Sequence, residues 1–346
     1  MRAGIAIIRL ISMAAALPYI SAAQSTDDFA TNHGKGEFYI KQHDLASAVV
    51  YLQRAYDIDA GREDNAYDLA LAYLERGMLA KSRAIVTTSL ARHDNAEFHN
   101  LLGELEAKEG HIETAAEQYR TAAQMDPSEK NLFDLGTHLL RYRGFEAAQT
   151  VFSYAVARYP KSGELNVGLG VAYYSLGKYD EAIDQLCHAV DLNPSDTRAL
   201  EFLGKMYDVA PEKAGEVTSR LARFAREYPN NAAANYYYAV SLRRMSNGRL
   251  DPENEKNAEN LLERSVKINP AFADAHFELG LLYEDEKQDA KAIREYSTVI
   301  NLEPGRSKFH YRLAGVYQRD GNSQLAAAEY RKFQVLKKQE DNSGKP

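Results

Sequence analysis

At 346 residues the chain is long enough for two ordinary globular domains. Its formal charge of -7 becomes more negative still without Arg2 and Arg9, which argues against a generic binder of nucleic-acid backbones. The one cysteine, Cys187, excludes an internal disulfide, and 23 tyrosines with no tryptophan suggest an aromatic surface until their spacing is considered.

Residues 1–23 read as an export signal. Arg2 and Arg9 supply positive charge, the run from Leu10 to Ile20 is apolar apart from Ser12 and Pro18, and Ser21, Ala22 and Ala23 offer small residues for cleavage. The run is too short to span a bilayer comfortably, so contact with a membrane is expected only if this segment stays uncleaved. No cysteine follows it to carry a lipid. Periplasmic or secreted placement is therefore expected. Residues 24–35 are polar and aperiodic and are expected to form a flexible lead-in. Within them, His33-Gly34-Lys35-Gly36 lacks the spacing and the trailing hydroxyl of a phosphate loop.

From there one pattern recurs. Between Ser162 and Pro194 the chain places Leu169-Gly170, Tyr173, Gly177, Tyr179, Ala182, Leu186 and Ala189 ahead of Pro194. Ala182, Ile183, Leu186, Ala189 and Val190 share one helical face, Asp180 and Glu181 suit the positive end of that helix, and Asn193-Pro194 stops it. The small member of the Leu-Gly pair, or its equivalent, recurs at Gly36, Ala70, Gly103, Gly136, Gly170, Gly204, Ala239, Gly280 and Ala314. Prolines close most units, at Pro127, Pro160, Pro194, Pro229, Pro270 and Pro304.

This pattern resembles the tetratricopeptide repeat, a helix-turn-helix of about 34 residues, although the leading tryptophan of that motif is absent. The resemblance implies an all-α fold, a right-handed superhelical solenoid of about nine repeats over 36–340, irregular at 197–272, with a disordered tail at 341–346. It also turns much of the tyrosine into scaffold, since Tyr39, Tyr73, Tyr173, Tyr207, Tyr283 and Tyr317 stand where such repeats place a packing aromatic. Repeats one and two are weaker matches, with Ala60 and Asp94 at the proline position. In repeat six, Ala210-Pro211 occupies the turn, and Glu216 and Arg220 stand where a small and an aromatic residue are usual. In repeat seven extra residues fall between Leu242 and Ala258. The stretch from Met245 to Lys256 is a loop by composition, either a tolerated insertion or a partner contact or bend.

No constellation of catalytic groups stands out, and no cofactor or metal is implied: the histidines form no zinc pattern, and Gly168-Leu169-Gly170 has no strand before it. His99, His276 and His310 share one repeat position and are expected to be structural, and Cys187 is expected to be a small apolar filler. In the resembling family the first helix of each hairpin lines a concave groove that holds a peptide or partner protein. Carried over position by position, this implies Tyr67, Asn100, Phe133, Arg141, Tyr174, Lys205, Tyr236, Arg243, Arg244, Phe277, Tyr311 and Arg319 as groove residues. The expectation is a non-enzymatic scaffold of the cell envelope binding a protein or peptide, with no nucleic acid. The alternative is an accessory subunit organising a polysaccharide or polymer biosynthesis or export complex.

Overall fold

The computed structural model describes residues 28–245 and 252–343, all of them helix, turn or loop with no strand. The export-signal residues lie outside this range. The described residues form two compact units, one ending at Met125 and the other starting at Asp126. In the first unit three antiparallel hairpins follow in order: α1 (Phe29–Lys41) with α2 (Leu45–Ile58), α3 (Glu63–Glu75) with α4 (Leu79–Arg92), and α5 (Ala96–Glu109) with α6 (Ile112–Met125). The second unit holds six: α7 (Glu129–Arg141) with α8 (Phe145–Arg158), α9 (Gly163–Ser175) with α10 (Tyr179–Leu192), α11 (Arg198–Val209) with α12 (Ala214–Glu227), α13 (Ala232–Met245) with α14 (Pro252–Ile268), α15 (Ala273–Asp285) with α16 (Asp289–Leu302), and α17 (Ser307–Arg319) with α18 (Ser323–Ser343). Within each unit the second helix of a hairpin packs on the first helix of the next.

Local chemistry sets the helix ends. Asp28, Asp44, Asn95, Ser128 and Ser162 cap their helices by accepting the backbone N–H three residues on. In repeat one, which lacks its closing proline, the Asp59 side chain accepts from Gly61 N at 2.9 Å, the same turn that Asn193 and Asn269 make beside Pro194 and Pro270. The turn inside each regular hairpin needs a left-handed residue seven positions after the small one. Gly177 meets this freely at φ 72°, whereas His43, Arg143 and Lys287 adopt φ 57°, 65° and 58° against the steric preference of an L side chain.

The small residue itself is where the two helices of a hairpin come closest. A Cβ on Gly136 would lie 2.5 Å from Phe152 Cζ, and one on Gly168, in the next hairpin, would overlap the same ring. Phe152 is fully buried, lodged between two successive first helices. Gly170 stands in the same relation to Leu186, at 2.7 Å from its Cγ.

Four sequence expectations change here. The lead-in is helical from Phe29, because Asp28 caps α1. The tail is helical through Ser343, because α18 runs 21 residues. Of the stretch read as a loop by composition, Met245 ends α13 and Pro252 to Lys256 form the first turn of α14, where Pro252 at the helix start sacrifices no hydrogen bond. Glu216 and Arg220 do not replace the packing pair of repeat six. Pro211 stands where the left-handed turn residue belongs and its ring fixes a negative φ, so the chain makes a 3-10 turn over Pro211–Lys213 and α12 slips by one residue. Val217, Leu221 and Phe224, spaced like Ala182, Leu186 and Ala189, are the buried residues instead.

Candidate partner-binding site

Six aromatic residues on the first helices of the hairpins remain part-exposed, and each also touches a neighbouring helix or loop. Ring centroids lie 6.0 Å apart for Tyr67 and Phe98, 6.4 Å for Phe133 and Phe152, 5.4 Å for Tyr174 and Phe202, 4.9 Å for Tyr236 and Phe272, and 5.0 Å for Phe277 and Phe309. Tyr311, on α17, leans on Phe333 of α18 at 5.1 Å and stays 51% exposed. Asn100 is buried and lies behind this surface. These rings therefore pack in part against the stack and stay in part open to solvent.

The cationic positions in the second unit are mostly committed to neighbours one repeat away. Arg243 reaches Glu278 at 2.7 Å and Asp285 at 2.8 Å, Arg244 reaches Asp208 at 3.0 Å, and Arg319 bonds Glu284 at 3.0 Å and Asp289 at 3.3 Å. Lys205 pairs with Glu201 at 2.6 Å and lies over the Phe202 ring. Burial pushes the Glu278 carboxyl up against the pull of Arg243 and Arg244, and it pushes the Tyr236 phenol up as well. Arg141, in contrast, is exposed with no ion pair among the described residues. Most of the charged groups on the first helices of this unit are thus answered by neighbours, beside aromatic rings that stay part-exposed.

The histidines behave as structural groups. His276 joins Glu295 at 2.7 Å and donates from Nε2 to the Pro270 carbonyl at 3.1 Å. His310 repeats this with Glu329 at 2.5 Å and the Pro304 carbonyl at 3.3 Å, and His99 meets Gln118 and Asp94. Each ring ties the loop before its helix to the second helix of its hairpin. Burial alone would raise the Glu295 carboxyl, yet hydrogen bonds from His276 and Arg294 hold it below the ordinary range. Cys187 is buried, and desolvation pushes its thiol up to about 12.

Two groups bring a histidine and two carboxylates within 4.8 Å among the described residues. In one, Arg83 already bridges Glu106 at 2.6 Å and Glu109 at 2.8 Å beside His111. In the other, His33 pairs with Asp68 at 3.2 Å next to Glu37.

Sequence reasoning missed a cleft of about 920 Å³ in the second unit, formed by the connections α10–α11, α12–α13 and α14–α15. Tyr237 forms one wall. Its ring lies against Gly204, where a Cβ would come within 2.7 Å, and so supplies from the next hairpin what Leu186 supplies from within its own. Two signals in the chain pointed here: Pro211 in the turn, and Tyr237 at the position that is Gly168 in repeat five.

Comparison with known proteins matches two family models, each described as tetratricopeptide repeat, to residues 133–197 and 256–301 and to residues 39–105. The human Protein O-mannosyl-transferase TMTC3 is 25% identical over 61% of this chain and 23% of its own length. The bovine BBSome complex member BBS4 is 25% identical over 82% of this chain and 54% of its own. The chain thus spans about a quarter and about half of these relatives. Among solved structures, a tetratricopeptide repeat protein from Parabacteroides merdae ATCC 43184 is 16% identical, with 73% of this chain and 98% of that one covered at a TM-score of 0.46. YrrB, described as a TPR protein with an unusual peptide-binding site, is 20% identical over 54% of this chain and 91% of its own, with a TM-score of 0.39.

Proposed function

Since the chain belongs to the tetratricopeptide repeat family, we propose that it is a non-enzymatic scaffold of the cell envelope that holds a polypeptide segment of a partner against the first helices of its hairpins. The observation that carries this reading is the recurrence of part-exposed aromatic edges, from Tyr67 to Tyr311, on helices whose charges are largely satisfied internally. Aromatic side chains held at one edge lose little freedom on binding and commonly anchor interfaces. The envelope location rests on Arg2, Arg9 and the apolar run from Leu10 to Ile20. A second reading, an accessory subunit of a polysaccharide or polymer biosynthesis or export complex, is favoured by the partial match to an O-mannosyl-transferase.

The test is capture of envelope proteins on the immobilised mature chain, compared with a Phe277→Ala, Tyr311→Ala double variant. Loss of a defined polypeptide, recovered with purified components, is the expected outcome. An unchanged set of captured proteins sinks the aromatic face as the binding surface. Co-purification with a glycan-handling membrane enzyme would select the second reading.

A further inference from the structure

Resting on the scaffold reading above, we propose that the cleft of the second unit takes the ammonium or guanidinium of a lysine or arginine carried on an extended segment of the partner. The charged residues lining it are Glu201 and Asp274, and no lysine, arginine or histidine lines it. Lys205 offsets part of the Glu201 charge from outside the cleft. Asp274 is exposed and has no hydrogen bond or ion pair among the described residues. The negative field registers on Tyr237, whose phenol is pushed up first by burial and then by Glu201 and Asp274.

The walls suit the same guest. Tyr228, Tyr237 and Phe272 contribute rings to the lining, and a cation beside a ring and a carboxylate is held by both. At the rim Asn269 spends its Oδ1 on Ala271 N at 3.1 Å, which leaves its amide N–H groups to meet a peptide carbonyl. Three helices begin at the cleft, and helix starts favour anions, but each is already answered here, α11 by Glu201 in its first turn. Asn231 accepts from Ala234 N at 3.0 Å at the start of α13, and Asp274 sits in the first turn of α15. The remaining field is that of the carboxylates. A volume of about 920 Å³ admits a short stretch of main chain together with its basic side chain.

Calorimetric titration of the full chain with three blocked seven-residue peptides, identical except for a central lysine, norleucine or glutamate, tests this. The lysine peptide should bind about tenfold tighter than the norleucine one, with glutamate weakest, and Asp274→Asn should remove most of that preference while lowering the melting temperature only slightly, as loss of one helix-start charge would. Equal binding of lysine and norleucine, tightest binding of glutamate, no binding of any peptide, or an indifferent Asp274→Asn variant would each overturn the proposal. Capture that depends on Phe277 and Tyr311 is read separately. If it persists while the lysine peptide fails to bind, the cleft assignment falls and the scaffold reading stands.

Discussion

Repeats five and six are adjacent hairpins of similar length that solve one packing problem in two ways. In repeat five the turn residue is Gly177, α10 keeps its register, and Leu186 closes on Gly170 from within the hairpin. In repeat six Pro211 forbids that turn, α12 slips by one residue, and Tyr237 of the following hairpin closes on Gly204. What must be conserved physically is the occupied space beside the small residue, because a void there forfeits dispersion contacts on every side. Which element occupies it is free to change. The exchange places a tyrosine at the wall of an open cleft that regular hairpins have no reason to form.

The largest expected effect probes the regular solution. Phe152→Ala removes a fully buried ring seated between Gly136 and Gly168, and should cost about 3 to 5 kcal/mol, seen as a lowered urea midpoint. Tyr237→Ala probes the exchanged one and should cost less, about 2 to 3 kcal/mol, because part of that ring stays in contact with water. Adding Gly204→Leu should recover about 1 kcal/mol in the Tyr237→Ala background while destabilising the parent. If Gly204→Leu has the same sign in both backgrounds, Tyr237 is not the occupant. The smallest effect concerns the turns. Lys287→Gly should raise stability by about 0.5 to 1 kcal/mol by relieving a left-handed residue, whereas Pro211→Gly should bring no such gain, as paired thermal melts would show.

Much of the regular part was legible in the chain, because a period near 34 residues fixes which side chains face inward and where each turn falls. Tyr73 and Tyr283, read as packing aromatics, are buried, and His276 and His310 are held by carboxylates one helix away. The slip in repeat six was not legible from position counting, since a single residue added in a turn rotates the following helix by about 100° and moves every inward position with it. The commitments of Arg243, Arg244 and Arg319 escaped for a different reason. Their partners stand about one repeat away in the chain, and a long flexible side chain reaches them in a direction that periodicity does not encode. The cleft escaped because its walls come from three separate connections.

The overlong α18 has a consequence at its far end. Its Glu340 accepts from both Ser307 N at 2.9 Å and Ser307 Oγ at 2.6 Å, so a carboxylate near the end of α18 serves as the missing cap for α17, which has none of its own. The two ends of the final hairpin are thereby clasped together, and a truncation that removes Glu340 would strip the helix that carries Tyr311 of its only side-chain cap among the described residues.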